Sequence, residues 1–291
     1  MRSIVPVIIV FFSVSCSLSH YQRQGRVSPK LYHHSIPFTT FKHVISLPVE
    51  VDGETRNFLL DTGAQLSLLQ SDATKGKRMA VSGASKRKVW LYRNKISSMR
   101  IGEVSFKKVN VLSGDFTGLK EQIPNFGGLI GQSILNKSNW KIDYPNKVLE
   151  VSDKPFLIDS LKTIPIYRSG GSPHTDISIA GKTYRAIIDL GSSAKGLNVP
   201  DDHPLAQHLM DKFSFEGNER EIYSMGGLQE VKEQVGTLPF LYLSGVVFKD
   251  VPVDIRNSSD LRIGMNFFKD CVLVIDNDAG VYRLKKGIES L

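Results

Sequence analysis

The sequence predicts a mostly β chain made of two tandem lobes with few short helices. Two observations carry that expectation. A run of apolar residues, Phe58-Leu59-Leu60, ends in Asp61-Thr62-Gly63-Ala64, and a second run, Ala186-Ile187-Ile188, ends in Asp189-Leu190-Gly191. Each reads as a buried strand that delivers a carboxylate to its end, with a glycine permitting a sharp turn behind it. The landmarks around the two runs also repeat in the same order and at the same spacing.

Gly53 precedes Asp61 by 8 residues, and Gly181 precedes Asp189 by 8. Phe106-Lys107-Lys108-Val109 is answered by Phe248-Lys249-Asp250-Val251. Gly128-Leu129-Ile130-Gly131 is answered by Leu261-Arg262-Ile263-Gly264. Gly131 lies 12 residues before Asp143, and Gly264 lies 12 before Asp276. Four matched landmarks in one order point to a tandem duplication.

The elements follow from local patterning. Phe41 to Val51 reads as a strand, Asp52-Gly53 as a tight turn, and Arg56 to Asp61 as the returning strand. Ile177 to Ile179, Ala180-Gly181 and Tyr184 to Asp189 repeat this hairpin. Met79 to Ser85 with Lys88 to Tyr92 reads as a hairpin with Gly83 near its tip. Ile222 to Leu228, containing Tyr223 and Gly226, is its counterpart. Asp201-Asp202-His203-Pro204 followed by Leu205 to Met210 reads as a capped short helix. Cys271 to Ile275 reads as a buried strand that uses Cys271 as a small core residue.

At these residues the chain resembles bacterial retropepsin-like aspartic proteases: Asp-Thr-Gly-Ala followed later by an apolar-apolar-Gly segment. The resemblance spans residues 38–287 and is more specific in the first half. It implies two acid-protease β-barrel lobes related by a pseudo-twofold, each giving one aspartate. Asp61 and Asp189 are then the catalytic pair, with Thr62, Gly63, Gly191 and Ser192 supporting the active loops. The glycine-tipped hairpins are candidate flaps, with Gly83, Tyr223 and Gly226 over substrate. The implied activity is aspartic endopeptidase, acting on peptide or protein substrates without metal or organic cofactor.

One departure, Leu190, and one difference between the halves, Ser192, mark the second half. Leu190 stands where the family has a hydroxyl residue that locks the two loops together, so Thr62 supplies one half of the lock. Leu190 either loosens the pair or holds its loop by burial. Ser192 offers a hydroxyl to Asp189, whereas the first half has Ala64 there. This favours charge on Asp189 and the shared proton on Asp61. A catalytically degenerate peptide-binding envelope lipoprotein on the same fold is the alternative.

The N-terminus reads as a targeting segment. Arg2 precedes an apolar run from Ile4 to Phe12, which at nine residues is too short to cross a bilayer. Ser13-Val14-Ser15-Cys16 follows, and either lipidation at Cys16 or plain secretion fits. The organisation expected is a signal peptide over 1–16, a flexible tether over 17–37, lobe one over 38–152, a linker over 153–163 and lobe two over 164–287. His33 and His34 fall in the tether and are expected to be solvated. The protein is expected to be exported, as a periplasmic or outer-membrane and cell-surface lipoprotein, and to work as a monomer.

The chain has 291 residues and a net charge of +8. The excess clusters between Ala73 and Gly102, which holds nine Lys or Arg and no acid. This is either a solvated hairpin surface or a basic rim for acidic substrates or anionic lipids. Nucleic acid is not expected as a partner, since no recognisable binding module is present. The sequence also lacks Cys-x-x-Cys, His-Glu-x-x-His and Gly-x-Ser-x-Gly patterns, which removes the main competing enzyme classes.

Overall fold

The computed structural model describes residues 20–72, 75–83, 86–224 and 227–287, and leaves the side chains of residues 223 and 224 undescribed. The proposed signal segment with Cys16 lies outside the described residues, as does Gly226.

The described residues are mostly β, arranged in three sheets with a few short helices. One large sheet belongs to the first half and one to the second, and a six-stranded sheet joins them. Strand pairings repeat between the halves. Val44–Val51 pairs antiparallel with Glu54–Leu60, as Ser172–Ile179 does with Lys182–Asp189. Phe126–Ile130 runs parallel to Glu54–Leu60, as Arg262–Gly264 does to Lys182–Asp189. Ser67–Gln70 runs parallel to Val104–Gly114, as Leu197–Pro200 does to Val246–Arg256.

The repeat reaches the backbone dihedrals. The turns at Asp52-Gly53 and Ala180-Gly181 both put two successive residues at positive φ, 48° and 94° in one and 49° and 79° in the other. That is the geometry a two-residue hairpin needs to match the strand twist, and glycine adopts it without steric cost. Lys108 and Asp250, at matching positions of the repeat, are both left-handed, with φ of 56° and 50°.

The joining sheet has the strand order Lys162–Pro165, Val281–Lys286, Cys271–Asp276, Asn139–Asp143, Val148–Ser152, His33–Pro37. At its centre Asn139–Asp143 of the first half pairs with Cys271–Asp276 of the second. Its apolar face feeds a core shared by both halves, which includes Trp140, Ile142, Leu273 and Tyr282. Trp140 is fully buried, stacks on Phe106 at 5.9 Å between ring centroids, and donates its indole N–H to the Leu135 carbonyl. A buried indole needs such an acceptor. Cys271 is buried, and burial pushes its thiol up to about 12, so it acts as a core residue.

The expected tether is a correction. His33–Pro37 is the edge strand of the joining sheet, and Arg26–Ser28 pairs with Val104–Gly114. His33 and His34 lie in that strand; His33 is exposed, as expected, and His34 is half-buried. His33 contacts Glu150 at 2.6 Å, and the His34 ring packs over Gly102. The polar side chains hid a strand whose backbone does the pairing. Between the halves, residues 153–161 form no helix or strand. The expected short helix spans Pro204–Met210, and the His203 imidazole caps it by accepting from the Leu205 N–H.

The basic stretch is exposed along the hairpin of Lys77–Ser82 and Lys88–Ile101. Several of its charges have partners. Arg100 pairs with Glu50, Arg78 lies over Trp90 and Arg93 over Tyr21.

Candidate active site

Each half builds its loop in the same way. Strand Glu54–Leu60 ends, Asp61 donates its N–H to the Ile130 carbonyl, and the chain turns at Gly63. The helix after the apolar-Gly segment then fastens the loop, with the Gln132 N–H donating to the Ala64 carbonyl at 2.9 Å. In the second half the Met265 N–H donates to the Ser192 carbonyl at 3.2 Å. Gly131 and Gly264 are required here. A Cβ on either would stand 2.7 Å from a loop carbonyl, that of Ala64 or Ala194.

The two loops meet. A Cβ on Gly63 would stand 2.7 Å from Asp189 Cγ, and a Cβ on Gly191 would stand 2.6 Å from both carboxyl oxygens of Asp61. Each glycine therefore leaves room for the other half's aspartate. Thr62 is fully buried between the halves. Its hydroxyl donates to the Ile188 carbonyl at 2.6 Å and accepts from the Leu190 N–H at 2.9 Å. Leu190 is fully buried in the shared core, so it holds its loop by packing. The lock is one-sided in hydroxyls, as Leu190 requires, and Leu190 contributes its backbone N–H to it.

Further residues clamp the first loop. Gln132 donates to the Thr62 carbonyl at 2.7 Å and accepts from Arg168 of the second half at 3.0 Å. Gln22, within the segment read as a tether, donates to the Gln65 carbonyl at 2.8 Å.

The two carboxyls sit in unlike environments. Asp61 accepts from the Ala64 N–H at 2.9 Å. Burial, and next the nearby charge of Asp189, push its carboxyl up to about 8. Asp189 is buried and accepts from the Gly191 N–H at 3.1 Å through Oδ1 and from Arg262 Nη1 at 2.7 Å through Oδ2. Arg262 is the residue that sequence reasoning passed over. It stands where the repeat has Leu129, so its signal was a charge inside an apolar-apolar-Gly segment. Ser192, expected to donate to Asp189, instead accepts from the Ala194 N–H at 3.3 Å through Oγ.

The hairpins expected as flaps both reach the opposite half. Gly83 follows the strand Lys77–Ser82, and beyond it Lys86 pairs with Asp202 of the second half at 3.0 Å. In the other hairpin, Phe215–Ser224 with Gly227–Leu243, Gly227 lies against Gly118 of the first half. Tyr223 belongs to this hairpin, and its side chain lies outside the description.

Residues 47–134 match the family model for aspartyl proteases. The aspartyl protease match contains Asp61, Thr62, Gly63 and the clamping Gln132, and it supports a protease, and hence a hydrolase. Asp189 and Arg262 lie beyond it. No curated protein matches the chain.

Proposed function

We propose that this chain is an exported aspartic endopeptidase whose two aspartates, Asp61 and Asp189, activate one water between them. The observation that carries this reading is the reciprocal packing of Gly63 on the Asp189 carboxyl and Gly191 on the Asp61 carboxyl. Such closeness lets two buried carboxyls share one proton, because both cannot easily ionise together.

Asp61 is the protonated member and Asp189 the carboxylate. The Asp189 oxygens keep lone pairs beyond those taken by Gly191 and Arg262. Asp189 takes a proton from water as the water oxygen bonds to the peptide carbonyl carbon. Asp61 gives its proton to the carbonyl oxygen, forming a tetrahedral diol. The C–N bond then breaks as Asp189 passes its proton to the leaving amine and Asp61 recovers its own from the collapsing diol. Thr62 and the buried Leu190 hold the spacing on which this depends.

The test is cleavage of a mixed peptide library, with and without a statine-type inhibitor. Cleavage that the inhibitor abolishes supports the reading. A second reading, a peptide-binding protein that does not cleave, is favoured by the one-sided lock and by the Arg262 contact on Asp189. Inhibitor binding without cleavage would establish that reading instead.

Two tandem acid-protease lobes about a pseudo-twofold, working as a monomer, form part of the proposal; the repeated strand pairings support it. The N-terminal pattern supports export and an anchor at Cys16. Radiolabelled palmitate is expected to enter the full chain in a Gram-negative host and to be absent from Cys16→Ser. Equal labelling of both would rule out this anchor.

A further inference from the structure

The second half carries a buried cation where the first half carries a leucine. Arg262 pairs with Ile187 in the parallel register, as Leu129 pairs with Leu59. Leu129 shows that an apolar side chain serves this strand position. An arginine here has to be desolvated, which is costly unless its charge is compensated. Arg262 is 8% exposed. It spends Nη1 on Asp189 at 2.7 Å, and Nη2 on Asp260 at 2.8 Å and Ser259 Oγ at 3.1 Å. The charged groups around it are Asp189, Asp260 and Asp61, all acids.

Two carboxyls packed together out of water cannot easily ionise together, so one of them keeps a proton. In a symmetric pair nothing decides which member is the base. One fixed positive charge on one member breaks the tie.

We propose that Arg262 is a positioning residue that keeps Asp189 as the carboxylate and leaves the single proton on Asp61. This rests on the protease reading for its catalytic consequence, though the charge state can be read without turnover. It also gives the roles of the two aspartates a physical origin that Ser192 does not supply. The guanidinium is fastened to Asp260 and Ser259 on its far side, so it cannot swing away from Asp189 without abandoning those bonds.

The experiment compares wild type, Arg262→Gln and Arg262→Lys by the pH profile of kcat/KM and by carbon-13 titration of the aspartate carboxyls. The acid limb of Arg262→Gln is expected to rise by about 1–3 pH units, the range an opposite charge at contact commands. Arg262→Lys restores the charge, so its limb is expected to lie below that of Arg262→Gln. A residue that only holds the loop would lower the rate at every pH and leave the limb in place. Coincident limbs for wild type and Arg262→Gln, or equal displacement in Gln and Lys, would overturn the proposal.

Should Arg262→Gln not fold, the wild-type carboxyl titration decides. Asp189 as the ionised member at pH 5 beside a protonated Asp61 is the expected result, and an ionised Asp61 or two protonated carboxyls would overturn it. A wild type that cleaves nothing yet shows the split titration retires the protease reading and leaves the role of Arg262 intact.

Discussion

Asp61→Asn is expected to lower kcat by about 10²–10⁴-fold, the range that a positioned acid or base contributes. The variant keeps the side-chain shape and the oxygen that accepts from the Ala64 N–H. What it loses is the proton destined for the carbonyl oxygen. The same substitution separates chemistry from folding through its effect on stability. In the folded protein the Asp61 carboxyl is raised to about 8, chiefly by burial. Unfolded, it would titrate near its ordinary value of about 4. Between those limits the folded state holds a proton that the unfolded state releases, so the contribution of Asp61 to stability falls as pH rises through this window. The slope approaches about 1.4 kcal/mol per pH unit for one proton. Asparagine does not titrate. Asp61→Asn is therefore expected to gain on wild type from pH 4 to 8 and to hold a constant advantage above that. Denaturant unfolding at pH 4, 6 and 8.5 reads this directly. Parallel stability curves would mean that Asp61 is not raised.

Gly191→Ala is expected to abolish cleavage and to destabilise the fold by about 1–3 kcal/mol, the usual cost of overpacking. The new methyl would stand 2.6 Å from both carboxyl oxygens of Asp61. Asp61 is short and already bonded to Ala64, so it has little freedom to retreat. Either the second loop lifts away from the first or the two carboxyls separate. Misplacement of reacting groups by about 1 Å can cost a factor of about 10². Gly217→Ala is the control, since a Cβ there meets only Gln234 at 3.8 Å. It should retain wild-type turnover. An active Gly191→Ala would show that the close approach of the loops is not needed for catalysis.

Much of this arrangement was legible in the residues. The duplication could be read because both copies keep the same turn chemistry, Asp52-Gly53 and Ala180-Gly181, and the same apolar runs into Asp61 and Asp189. Those features are local, and local features survive in a one-dimensional reading. What escaped was long-range. His33–Pro37 carries two histidines and a serine, and only its place beside Val148–Ser152 makes it a strand. The bond from Gln132 to Thr62 spans 70 residues, and the bond from Arg262 to Asp189 spans 73. No period or motif announces such partners. Leu190 lies between these cases. Its missing hydroxyl was evident in sequence, but only the shared core reveals that burial takes over part of the task.

The pairing of Asn139–Asp143 with Cys271–Asp276 bears on how the protein behaves in dilute surroundings. A centre assembled from two separate chains falls apart by mass action as concentration drops. Here one continuous ladder of backbone hydrogen bonds stitches the two halves together, and both belong to a single polypeptide. For the monomeric protease proposed above, specific activity is then expected to be the same for one molecule alone in a large volume as for a concentrated stock.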